Sequence, residues 1–377
     1  MGRGAEHSWE VVGERRGPGI QALATSQDAS RIAVAFASNV LVFNAQVSGG
    51  AGGPVYRVES GVRVRSLCMG LVDLGLFSLR PSPSGRLSEI LVIGYQDGAI
   101  NSYILATGKP LLPMQQAHKE AVVGLGLMGG WLASVSAKGV LRLRDLHDAG
   151  TLQARASLTS QPQTARAELQ LDTCPFDFCW SRDGSRISLC SSNGQVYLVR
   201  VGERRLELDR VKRTYGHVES CRLSADGSFL ALLYESGNLD VHCLHTNSQI
   251  ASIRPNRKIS QFAFAAFDDR LVTLHPGQEA EAELCLYTIA GEEVHSEQLA
   301  IPPSSQPAIL HALSSRIFIG SKCGRLWSWG LRGAVGVGSL SWLAGRALRA
   351  EAVKQQWPLS SLPLPQHLLS RIAFSRP

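Results

Sequence analysis

Seven times along this chain, a short turn with a small or acidic residue leads into an almost wholly apolar strand. The turns are Asp28-Ala29-Ser30, Ser84-Gly85, Gly129-Gly130, Asp183-Gly184, Asp226-Gly227, Asp268-Asp269 and Ser314-Ser315, spaced roughly 42 to 56 residues apart. A continuous apolar run such as Phe229-Leu230-Ala231 implies a strand buried on both faces. In most repeats that strand ends in a second turn, as at Asp97-Gly98, Lys138-Gly139, Asn193-Gly194 and Ser236-Gly237, and a strand of alternating polarity follows. Glycine there supplies the positive φ that a tight hairpin needs. A unit of about 40–45 residues with four strands is a propeller blade, and longer intervals are blades with insertions. The expected fold is therefore all-β: a seven-bladed β-propeller over residues 1–335. Six or eight blades stay open, because residues 60–90 and 275–300 are irregular. Ser8-Trp9-Glu10-Val11-Val12 has strand composition, and the last repeat lacks a clear outer strand after Trp329. Residues 8–12 are expected to close the ring as the outermost strand of the last blade.

The repeats resemble a known family. Val140-Leu141-Arg142-Leu143-Arg144-Asp145-Leu146 resembles the end of a WD repeat, with Arg144 at the usual Trp position. Ser181-Arg182-Asp183-Gly184 and Ser224-Ala225-Asp226-Gly227 are similar to that family's Ser-x-Asp-Gly turn, and Gly216-His217 is the one intact Gly-His pair. No unit combines Gly-His with Trp-Asp, so most of the family's structural His-Ser-Asp-Trp network is missing. His217 is expected to anchor a blade by hydrogen bonding. The resemblance to WD-repeat propellers covers roughly residues 8–335. It implies a non-enzymatic protein–protein interaction scaffold, with protein partners in a larger intracellular complex, cytoplasmic or nuclear.

Composition bounds the alternatives. A hydrophobic content of 44% with 18% charged residues suffices for a core and argues against disorder. No run of about 18 apolar residues occurs, so no membrane span is expected. The N-terminus has no signal-peptide apolar region, and Glu6 disfavours the myristoylation motif. The eight cysteines include no Cys-x-x-Cys and read as buried free thiols of a reducing compartment. Neither a phosphate-binding Gly-rich loop nor a Gly-x-Ser-x-Gly elbow is present. His242 and His245, three apart on a strand, should point to opposite faces. No enzyme activity, cofactor or metal site is expected. Glu14-Arg15-Arg16-Gly17 looks like part of a lipid-binding motif, but stands before the first blade and reads as solvated charge.

A formal charge of +7 favours acidic partners. Arg210, Lys212 and Arg213 are expected after an outer strand, on the rim that also carries Lys119, Lys138, Lys258 and Lys322. That candidate basic ring supports the alternative function, a basic accessory subunit of an RNA- or DNA-processing complex comparable to the non-catalytic propeller partner of a tRNA methyltransferase. It lacks the interleaved aromatics that stack bases. Residues 336–377 form a separate tail. Ser341 to Lys354 has helix-forming composition and should stop before Trp357-Pro358. An extended Leu359–Pro365 stretch follows. Trp342, Trp357, Leu362 and Leu364 are the candidate docking side chains, either onto the propeller's own rim or onto a partner.

Overall fold

The computed structural model describes residues 7–10, 19–26, 30–44, 54–73, 87–128, 130–146, 167–202, 205–214, 216–265, 270–277, 281–300, 307–312, 316–321 and 325–330. A strand β1 (His7–Glu10) precedes the first blade, which is β2 (Ala22–Thr25), β3 (Arg31–Phe36), β4 (Asn39–Asn44) and β5 (Tyr56–Glu59). Blade 2 is β6 (Val64–Asp73), β7 (Leu87–Tyr95), β8 (Ala99–Ile104) and β9 (Lys109–Gln116). Blade 3 is β10 (Val122–Met128), β11 (Trp131–Ser136), β12 (Val140–Asp145) and β13 (Ala167–Gln170). Blade 4 is β14 (Pro175–Trp180), β15 (Arg186–Ser191), β16 (Gln195–Val201) and β17 (Leu206–Arg213). Blade 5 is β18 (Val218–Leu223), β19 (Phe229–Tyr234), β20 (Leu239–Cys243) and β21 (Ser248–Ile253). Blade 6 is β22 (Gln261–Phe264), β23 (Arg270–Pro276), β24 (Glu281–Thr288) and β25 (Glu293–Ala300). Last come β26 (Pro307–Ala312), β27 (Arg316–Ser321) and β28 (Arg325–Gly330), whose four-stranded sheet is completed by β1.

The expectation of a seven-bladed propeller with a helical tail is corrected on two points. Six blades, not seven, are self-contained repeats of four consecutive strands. The remaining sheet is a composite, made of three strands from one end of the chain and one from the other. The expected tail helix is not seen, because residues 331–377 lie outside the described residues. Within the composite sheet β1 runs antiparallel to β28, with Ser8 opposite Trp327 and Trp9 opposite Leu326. Val11 and Val12 lie outside the described residues.

Innermost strands touch in sequence around a ring, β2 to β6, β10, β14, β18, β22, β26 and back to β2. Second strands are buried along their central residues: Ile32, Ala33, Val34 and Ala35 are wholly inaccessible, as are Leu230, Ala231 and Leu232. The core lies between blades. Phe318 and Leu326 of the composite sheet pack with Ile20, Ile32 and Val34 of blade 1.

Antiparallel order places every second-to-third-strand hairpin on one rim, together with the loops that lead to the next blade. The carbonyl of the hairpin glycine ties the two. Gly98 accepts from the N–H of His118 at 2.9 Å, Gly139 from Leu171 at 2.9 Å and Gly237 from Ile259 at 3.3 Å. Gly98 holds φ at 88°, and a Cβ there would overlap the His118 and Glu120 carbonyls. Gly98→Ala is therefore expected to cost about 2–3 kcal/mol. Gly61 has φ 69° with nothing within 4 Å of a built Cβ, so Gly61→Ala should cost only about 1 kcal/mol. Urea titrations of both variants check the contrast, and equal losses would contradict it.

Bulges mark the start of the inner strands. The register slips at Arg65, Val123, Phe176, Glu219 and Ala308, each the second residue of its strand. A bulge re-aims the side chain it carries. Arg65, Phe176 and Glu219 are accordingly exposed at the hairpin rim.

Candidate functional site

The hairpin rim was the expected basic ring, and two of its described lysines are ion-paired. Lys138 lies 3.0 Å from Glu120. Lys258 lies 3.5 Å from the bulged Glu219. Lys119 is exposed in the loop between β9 and β10. Arg210, Lys212 and Arg213 lie within β17 rather than beyond it. Strand β17 runs on for eight residues because a bulge at Asp209 takes up the mismatch with β16. Two of its cations reach across the seam to blade 5. Arg210 donates to the side-chain oxygen of Asn247, and Lys212 Nζ stands 2.6 Å from His242 Nδ1. Lys322 and the tail residues Trp342, Trp357, Leu362 and Leu364 lie outside the described residues. The arrangement lends no support to nucleic-acid binding.

Three histidines are built into seams. His118, only 3% exposed, lies 2.8 Å through Nε2 from the Ser134 hydroxyl. Burial, and then the charges of Arg142 and Arg144, push its pKa down to about 4. Both arginines converge on the Ala117 carbonyl, and Arg142 also pairs with Glu168 at 2.8 Å. His242 is likewise held to about 4, by burial and then by Lys212, against the nearby Asp240. Lys212 is pushed down to about 8, chiefly by burial. His275 bridges the next seam. Its Nδ1 is 2.9 Å from the Arg257 carbonyl, its Nε2 is 2.8 Å from the Thr273 hydroxyl, and burial lowers its pKa. His245 instead meets the Ser228 hydroxyl at 3.2 Å, so the His242/His245 pair does not converge.

His217 needs correction as a blade anchor. It is exposed, and its ring stacks on the bulged Phe176, with centroids 6.4 Å apart and planes 13° from parallel. It stands immediately before β18. The second-strand position that Ser134 fills in blade 3 is Leu232 in blade 5, which offers no hydroxyl. The histidine that meets a second-strand serine is His118, hidden in the sequence because alanine precedes it rather than glycine.

Blades 4 and 5 are also tied at their inner strands. Asp177 accepts from the Ser220 hydroxyl at 2.7 Å and the Cys221 N–H at 3.0 Å, and pairs with Arg222 at 2.5 Å. Sequence reading missed this carboxylate, which sits between Phe176 and Phe178 in an otherwise apolar strand.

Two clefts open between outer strands. One, about 490 Å³, lies between blades 5 and 6 and is lined by Arg254, Arg257, His275, Glu283, Cys285 and Glu293, among others. Burial and then the two glutamates push the Cys285 thiol up to about 12, so it is no thiolate nucleophile. The other, about 580 Å³, lies beside β17 and is lined by Asp172, Asn193, Gln195, Tyr197, Leu208 and Val211. Among the described residues no group of three His, Cys, Asp or Glu side chains could hold a metal ion. No described helix is long and apolar enough to cross a membrane.

No family model matches the chain, and no curated protein matches it by sequence. A chain from the crystal structure of the mitotic checkpoint complex is similar in structure, with a TM-score of 0.59 over 84% of this chain and 90% of its own length. The two are 15% identical, so the likeness concerns the fold alone, and that fold is a β-propeller.

Proposed function

We propose that this protein is a non-enzymatic protein–protein interaction scaffold, a WD-repeat-like subunit of a larger intracellular complex. The observation that carries the reading is how the propeller uses its reactive side chains. His118, His242, His275 and Asp177 hold blades together, and the described buried thiols whose pKa is shifted are all raised. What is left for function is the rim and the clefts, on a rigid frame whose loops can vary without cost to the core. Seven free cysteines among the described residues fit a reducing, intracellular setting. The structurally similar chain belongs to a multi-protein complex, which agrees with protein partners and names none.

Partner docking falls to the tail. Trp357, Leu362 and Leu364 give residues 357–364 more apolar surface than a solvated segment carries, and burying one such side chain is worth roughly 1.5–3 kcal/mol. Truncation after Gln356 should leave the melting temperature within about 2 °C of the full chain while abolishing co-purification with its stoichiometric protein partner. Leu362→Asp with Leu364→Asp in the full chain should do the same. Undiminished co-purification by both variants would contradict this role of the tail.

A further inference from the structure

Charge along the sequence is unevenly divided. Between Arg270 and Arg316 there is no lysine or arginine, but there are six glutamates, at 279, 281, 283, 292, 293 and 297. This stretch supplies β24 and β25, the outer half of blade 6. Strand β25 is the last in its sheet, so no described strand covers its outer edge. Glu292 to Ser296 are exposed in a row, including Val294 at 48%. Open edges are commonly guarded by lysine. This one has no lysine or arginine, and the residue it displays at its bulge, Val294, is apolar.

The opposite charge lies in the tail. Residues 331–377 carry Arg332, Arg346, Arg349, Lys354, Arg371 and Arg376 against a single carboxylate, Glu351. Most of the net charge of +7 therefore resides there. Topology brings the two together. Strands β24 and β28 are both third strands and run the same way, so Thr288 and Gly330 leave at the same rim, opposite the hairpins. Their sheets are neighbours in the ring, joined through β22 and β26. The tail thus starts beside the turn that carries Glu292 and Glu293. At up to about 3.3 Å per residue the chain from Gly330 reaches Lys354 with ample slack.

We propose that β25 and its preceding turn are the docking surface for the chain's own basic segment 341–354. The segment sets its arginines and Lys354 along the exposed run from Glu292 to Ser296, and covers Val294. Tethering raises its effective concentration to the millimolar range, so modest attraction suffices. This rests on the scaffold reading and deepens it, by assigning the basic part of the tail to the chain itself and leaving residues 357–364 to a partner.

Lys354 is the only lysine after Gly330, and a zero-length carbodiimide can join it to a touching carboxylate. Purified full chain, mixed from two isotopic labels, should give Lys354 cross-links to Glu292, Glu293 or Glu297 within one chain. Their yield should fall about ten-fold in about 0.5 M salt, where screening shortens to a few ångströms, and in the triple variant Glu292→Gln, Glu293→Gln, Glu297→Gln. Hydrogen exchange of the Val294–Gln298 amides should speed up in the charge-reversed variant Arg346→Glu, Arg349→Glu, Lys354→Glu. Cross-links to other blades in equal yield, cross-links only between chains, no cross-link to β25, or unchanged exchange would each overturn the proposal. No partner protein is present in either measurement, so their failure is distinct from failure of the scaffold reading.

Discussion

Removing residues 1–10 should lower the melting temperature by roughly 5–10 °C. All four residues of β1 pair with β28, from His7 opposite Ser328 to Glu10 opposite Arg325. Without them the composite sheet keeps three strands and an open edge. Phe318 and Leu326, buried in the cluster shared with blade 1, lose the strand that holds β28 in register. A loss of about 3–5 kcal/mol is expected, and a domain of this size shifts by about 2 °C per kcal/mol. Because β1 and β28 come from opposite ends of the chain, their pairing is the clasp of the ring. Adding a synthetic peptide of residues 1–13 in trans should recover part of the loss, since a ligand of the native state stabilises it by mass action. A melting curve that neither falls on deletion nor rises with the peptide would contradict the clasp.

Acid should loosen the seams well before carboxylates titrate. His118 and His242 have pKa values of about 4 in the folded protein against an ordinary value near 6.5, and His275 is also lowered. The unfolded chain therefore binds protons first as pH falls. Stability is complete above about pH 6.5 and is lost progressively down to about pH 4. A tenfold weaker hold on a proton in the folded chain corresponds to about 1.4 kcal/mol, so His118 and His242 together should cost about 3–6 kcal/mol across that window. Burial is the larger cause, and the groups facing them add to it. Protonated His118 would sit beside Arg142 and Arg144 with only Glu168 to offset them. Protonated His242 would sit against Lys212, offset by Asp240. Urea midpoints measured from pH 7.5 to 4.5 should fall steadily, and His242→Gln should flatten the slope. A midpoint constant to pH 5 would rule this out.

What the sequence made legible follows from what repeats. Positive φ at Gly98, Gly139, Gly194 and Gly237 serves the hairpins of four successive blades, and second strands buried along their middles leave continuous apolar runs, so both patterns recur and can be counted. Features that belong to one seam recur nowhere. Asp177 reads as a lone acid in an apolar strand until Ser220, Cys221 and Arg222 of the next blade meet it. His118 reads as ordinary because its partner Ser134 is a strand away. Arg210 and Lys212 were expected beyond their strand, since the bulge at Asp209 that extends β17 has no marker in an outer strand of alternating charge. The irregular stretch at 275–300 hid two full strands, because the turn at Gly291 (φ 88°) lacks the usual Asp-Gly or Asn-Gly signature. The count of self-contained blades, six rather than seven, turns on the closing strand, which the strand composition of Ser8-Trp9-Glu10 marks in the sequence.

The scaffold reading is tested most directly by the native mass of the full chain as it occurs in cell extract, measured by size-exclusion chromatography with light scattering at about 0.15 M salt, with and without nuclease. The expected result is a nuclease-resistant species well above the mass of one 377-residue chain, containing another protein in fixed stoichiometry. A species with the mass of a single chain, or a larger one that collapses to it on nuclease treatment, would contradict a protein-complex subunit.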